Sequence, residues 1–190
     1  MGNSCKSKSY EYDEQQRDDN EKVLLIHDGS SILSTSYCYN DIDQCHYIGT
    51  CSDDNRIGIL KKDDTNRYTV CHYLLGHEKA VNKIAMNKNT LWSASRDLSL
   101  KQWNINNDKC LQTISKAHEL NVSAVVTSLD NSTIYSGSRD YSVKVWDSEK
   151  GVCKEQYKVP RNIVTSLEIG REHLLYQGSE DLCVRVWDTR

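Results

Sequence analysis

Short apolar runs alternate with polar turns along most of this chain. Val143-Lys144-Val145-Trp146 and Val184-Arg185-Val186-Trp187 alternate with period two, the pattern of half-buried strands rather than of helices. The pattern predicts strands at 23–26, 32–38, 45–50 and 57–60, then at 68–75, 81–85, 91–94 and 99–103. Further strands are predicted at 110–114, 122–126, 134–136 and 142–146, and at 152–157, 163–169, 174–177 and 183–187. Each group of four reads as a short antiparallel meander, too small to bury its own faces. Residues 1–21 show no such period and read as a disordered tail, ahead of a repeat domain spanning 22–190 in units of about 22–63, 64–108, 109–150 and 151–190.

One segment is written four times. Its clearest copy is Tyr135-Ser136-Gly137-Ser138-Arg139-Asp140 running to Trp146-Asp147. Asp54, Asp97, Asp140 and Asp181 lie 43, 43 and 41 residues apart, and Leu60, Trp103, Trp146 and Trp187 keep the same intervals. Upstream stand Gly76-His77 and Ala117-His118, and His27 in the first unit, whereas the fourth has Val159-Pro160-Arg161-Asn162 in that place. A period of about 40–45 residues with Gly-His ahead of Trp-Asp resembles the WD40 repeat. The resemblance covers residues 22–190 and implies an all-β fold, a β-propeller of four recognisable four-stranded blades. A seven-bladed ring needs roughly 300 residues at this period, so an incomplete or open propeller is expected. The rival is a closed four-bladed ring whose last blade takes its outer strand from 23–26.

Composition narrows the function classes. A net charge of -3 argues against a general nucleic-acid binder. Eight cysteines without a secretory leader or framework spacing point to a reducing, cytoplasmic setting. Cys110 and Cys153 follow successive repeat tryptophans by the same 7 residues and read as small buried hydrophobes. The pairs Cys45-His46 and Cys71-His72 lack the ligand spacing of a structural zinc site, so no metal is expected.

Ser, His and Asp recur together, which invites a hydrolase reading. An enzyme needs one exposed nucleophile with an oxyanion hole, not identical copies in successive units, and no Gly-x-Ser-x-Gly elbow is present. The resemblance implies instead a buried brace from the Trp indole through Ser and His to Asp. It comprises His77, Ser93, Asp97 and Trp103, then His118, Ser136, Asp140 and Trp146, with Asp181 and Trp187 surviving in the fourth unit. The brace is degraded at both ends, by Leu60 in the first unit and by Gln177 and the missing His in the fourth. No catalytic residue and no cofactor are expected.

In the family the residue before each turn Asp points to the end of the propeller where binding occurs. Here those residues are Asp53, Arg96, Arg139 and Glu180, with Arg161 extending the patch and Asn82, Ser123 and Thr165 as polar neighbours. Two arginines there suit an acidic or phosphorylated segment of another protein; the alternative is that they are simply solvated beside a turn. The start Met1-Gly2-Asn3-Ser4-Cys5-Lys6 resembles N-myristoylated chains, with Cys5 offering a second acyl site, although Lys6 stands where the motif wants Ser or Thr. An ordinary polar start is the other reading. Together these features imply a non-catalytic interaction scaffold, peripherally tethered to a membrane through Gly2 and Cys5 and able to self-associate through open blade edges; a link to the cilium is implied by resemblance alone. The alternative is a truncated or isoform fragment without a stable function of its own.

Overall fold

The structure is a computed structural model that describes residues 26–41, 43–158, 162–171 and 173–190. The expected strand over 23–26, the tail sites Gly2 and Cys5, and Arg161 lie outside these residues, apart from Ile26, which is buried and outside any strand.

Among the described residues, fifteen strands form four antiparallel sheets. The first holds β1 (Ile32–Asn40), β2 (Cys45–Ser52), β3 (Ile57–Lys62) and β4 (Tyr68–Leu74). The second holds β5 (Val81–Asn87), β6 (Thr90–Ser95), β7 (Leu100–Asn104) and β8 (Cys110–Ile114). The third holds β9 (Val122–Thr127), β10 (Thr133–Ser138), β11 (Ser142–Asp147) and β12 (Cys153–Lys158). The fourth has three strands among the described residues: β13 (Val164–Ile169), β14 (Leu174–Ser179) and β15 (Val184–Asp188). The strands follow sequence order within every sheet.

The sheets are blades, but they are offset from the sequence units by one strand. The strand that opens the second unit, β4, pairs with β3 of the first, Gly58 opposite Tyr73 and Lys62 opposite Tyr68. β8 and β12 likewise close the blades before them. The reason is local. The link from β3 to β4 is a tight hairpin in which the Asp63 carboxylate accepts the Thr65 and Arg67 amides, each at 2.9 Å. The Gly76-His77 link instead carries the chain across to the next inner strand.

The inner strands β1, β5, β9 and β13 pack in that order, with no comparable packing of β13 on β1, so the arc is open. Apolar side chains of each blade meet those of the next. Cys51, Ile57, Ile59 and Leu74 face Val81, Ile84, Leu91 and Trp103. Trp92, Ala94 and Leu100 face Val122, Val125, Ile134 and Trp146. Tyr135, Val143 and Val145 face Val164, Leu167 and Leu175. Each fully buried aliphatic or aromatic side chain contributes about 1.5–3 kcal/mol, so these interfaces carry most of the fold's stability. At Gly137 the approach leaves no room for a side chain: a Cβ there would meet Val164 Cγ1 at 2.3 Å.

Cys110 and Cys153 are exposed, against expectation. They stand opposite Trp103 and Trp146, but on outer strands whose far sides face solvent.

Candidate functional site

The brace is present in full twice. In the second blade Trp103 Nε1 donates to Ser93 Oγ at 2.8 Å, Ser93 meets His77 Nε2 at 2.7 Å, and His77 Nδ1 meets Asp97 Oδ2 at 2.7 Å. In the third, Trp146 Nε1 donates to Ser136 Oγ at 2.8 Å, Ser136 meets His118 Nε2 at 2.7 Å, and His118 Nδ1 meets Asp140 Oδ2 at 2.9 Å. Ser93 and Ser136 are wholly buried, which removes them from any substrate. Burial pushes the His118 imidazole below the usual histidine value, against the opposing pull of Asp140. A neutral ring fits the chain of donors: indole N–H to Ser, Ser O–H to Nε2, Nδ1–H to Asp. Burial works against the charge of Asp97 and Asp140, yet hydrogen bonds from the histidine and from Ser99 or Ser142 outweigh it and hold both carboxyls well below the usual range.

Each carboxylate also clamps a strained turn. Asn55, Leu98, Tyr141 and Leu182, the residues after the four turn aspartates, have φ between 67° and 72°. The aspartate accepts the amide two residues on: Asp54 from Arg56, Asp97 from Ser99, Asp140 from Ser142 and Asp181 from Cys183, at 2.9–3.2 Å. Leu and Tyr at such φ values cost energy, and the clamp holds them there.

At the two ends the brace is altered differently. The first blade keeps His27 against Thr50 Oγ1 at 3.0 Å and Asp54 at 2.9 Å, and Leu60 fills the indole's place without donating. In the fourth, Trp187 Nε1 donates to Gln177 Oε1 at 2.8 Å. Asn162, buried, stands between Gln177 and Arg185. In the amide orientation that satisfies its neighbours, its oxygen accepts from Gln177 Nε2 at 3.1 Å and from Arg185 Nη1 at 2.7 Å. Arg185 Nη2 reaches Asp181 Oδ2 at 2.6 Å, and this pairing lowers the Asp181 carboxyl to about 2. The fourth blade therefore rebuilds the brace from Gln, Asn and Arg.

The residues before the turn aspartates occupy one backbone position. The amides of Asp53, Arg96, Arg139 and Glu180 donate to the carbonyls of Ser31, Ala80, Asn121 and Ile163. Arg96, Arg139 and Glu180 gather with Asn82, Ser123 and Thr165 around a solvent-open cavity of about 450 Å³. Asp53 is not among its lining residues. Leu33 is, as the first blade's counterpart of Asn82, Ser123 and Thr165: each is the second residue of its inner strand. That equivalence is readable from the repeat register, but an apolar Leu33 carries no polar signal of a binding position. Arg96 Nε donates to Asn82 Oδ1 at 3.0 Å, while Asn82 Nδ2 donates to Val122 O at 2.7 Å, so Asn82 both joins two blades and aims the guanidinium. Arg139 Nη2 lies 3.8 Å from Glu180 Oε1, with both side chains about half exposed.

The WD domain, G-beta repeat model matches residues 68–104 and 108–147, the two units with the complete brace. The fold is an open WD40 β-propeller. Over 64 residues the chain is 36% identical to the WD repeat-containing protein 89 homolog of Dictyostelium discoideum, a match spanning 33% of this chain and 18% of that protein. Among solved structures, the computationally designed Ika4 protein superposes with a TM-score of 0.73 at 22% identity, over 88% of this chain and 96% of that one. The WD40 β-propeller domain of Doa1 gives a TM-score of 0.71, also at 22% identity, over 83% and 51%. At that identity the likeness is one of fold.

Proposed function

We propose that the chain is a non-catalytic interaction platform that holds an acidic or phosphorylated segment of another protein at the mouth lined by Arg96 and Arg139. The observation that carries this reading is that two arginines 43 residues apart share one solvent-open cavity, with Asn82, Asn121, Ser123 and Thr165 among its polar lining. The Arg139–Glu180 pair is loose and half exposed, so an incoming carboxylate or phosphate displaces Glu180 at little cost and gains a bidentate partner. The Ser-His-Asp sets are committed to the brace, which leaves no free nucleophile among them. An array of acidic and phosphorylated peptides probed with the purified chain tests the reading. Binding abolished by Arg96→Glu with Arg139→Glu, in protein whose brace and strand content are unchanged, supports it; binding retained in that double variant sinks it.

The same reading places the platform at a membrane through acyl chains on Gly2 and Cys5. One acyl chain anchors only marginally, so a second signal is required, from an acyl chain on Cys5 or from Lys6 and Lys8. Intact mass of eukaryote-expressed protein reads both acylations. The motif order, His27-Asp28 through Ser179-Glu180-Asp181 and Arg185-x-Trp187-Asp188, resembles WD repeat-containing protein 31, and the cilium link rests on that resemblance.

A further inference from the structure

The outward face of the fourth blade repeats, residue for residue, a face that the third blade buries. Strand register aligns Tyr176, Gly178, Val184 and Val186 with Tyr135, Gly137, Val143 and Val145: the same residue type at all four positions. The two sets differ only in what covers them. Val143 is 1% exposed and Val184 73%; Val145 is 7% exposed and Val186 56%; Tyr135 is 5% exposed and Tyr176 38%. The third blade's set is covered by Val164, Leu167 and Leu175 of the fourth. The first blade presents the counterparts of that covering set: Ile32, Thr35 and Ile48 hold the same register positions on its own outward face, and Tyr37 joins them there. Ile32 is 46% and Tyr37 55% exposed, and among the described residues β13 does not pack on β1 as neighbouring inner strands pack on each other.

We infer that a second copy of this chain covers these faces, the first blade of each copy packing on the fourth blade of the other. This contact continues the interface already formed between the third and fourth blades, with the same residue types on one side. A two-fold pair uses each face once and closes a ring of eight blades, within the range propellers adopt. The inference rests on the sheet faces and is independent of the arginine mouth.

Light scattering and sedimentation of the 190-residue chain test it. The wild type is expected at twice the 21.8 kDa chain mass. Val184→Glu with Val186→Glu, and separately Ile32→Glu with Tyr37→Glu, should each give monomers with unchanged strand content by circular dichroism, weakening association at least tenfold. Mixing the two variants should restore a dimer, because one of its two contacts then joins unaltered faces; two misfolded chains would not rescue each other. A monomeric wild type, whose faces are then met by its own first blade or by solvent, overturns the inference. So does a dimer that survives either double variant, or a mixture that stays monomeric.

Discussion

The Ser136 hydroxyl joins two buried partners, and its removal gives a graded test. In Ser136→Ala the Trp146 indole N–H and His118 Nε2 both lose their partner inside a buried site. Each unpaired buried polar group costs about 1–3 kcal/mol, so the substitution should destabilise the chain by about 2–6 kcal/mol. The matching change in the first blade is Thr50→Val, which keeps the side chain's shape. There His27 Nε2 is orphaned but no indole is, because Leu60 has no donor; a long hydrogen bond to Gly58 O at 3.4 Å is lost as well, and the expected loss is about 1–3 kcal/mol. Urea unfolding followed by tryptophan fluorescence and circular dichroism measures both, with unchanged m-values showing that the same surface is exposed. A double-mutant cycle adds a control: in a Trp146→Phe background, Ser136→Ala should cost less by the share due to the indole. Equal losses for Ser136→Ala and Thr50→Val, or no coupling in the cycle, would refute the idea that the hydroxyl acts by joining two buried partners.

Acid should unfold the chain in two stages. The folded pKa of His118 lies below its unfolded value, so its contribution is complete above about pH 6.5 and declines as the unfolded state takes up a proton. Asp97 and Asp140, also depressed, add a second loss below about pH 4; His118→Gln should remove its share of the loss that begins below about pH 6.5 while leaving the Asp97 part of the lower stage, as read by urea midpoints across pH. Leu182 is fully exposed at φ 67°, so Leu182→Gly should relieve strain and raise stability by about 0.5–1 kcal/mol, visible as a higher melting temperature. Gly137→Ala should do the opposite, forcing the third and fourth blades apart at a cost of about 1–3 kcal/mol by the same measurement.

The strands were legible because period-two alternation and the turn aspartates are local signals. The two complete braces were legible because their residue identities repeat. The fourth brace was not, since Gln177, Asn162 and Arg185 form it with different chemistry, and only matching donors and acceptors in space reveal the equivalence. The exposure of Cys110 and Cys153 escaped the pattern for another reason: their place beside a tryptophan says nothing of what lies on the far side of an outer strand. At the mouth, the spacing of Arg96 and Arg139 foretold their meeting, but the weight of Glu180 as a competing partner emerged only from its 3.8 Å separation from Arg139.

The one-strand offset between sequence unit and blade has a mechanical consequence. Each of the first three blades is closed by a strand whose covalent continuation belongs to the next blade. A pull along the chain therefore cannot peel off one blade and leave its neighbour whole; releasing β5 to β7 tugs on β4, which still closes the first sheet. Inheritance works under the same constraint. Duplicating a 43-residue unit never creates a free-standing blade, because the new copy starts by finishing the old one. Growth of the array by duplication thus couples every added unit to a folded predecessor, so length and cohesion increase together.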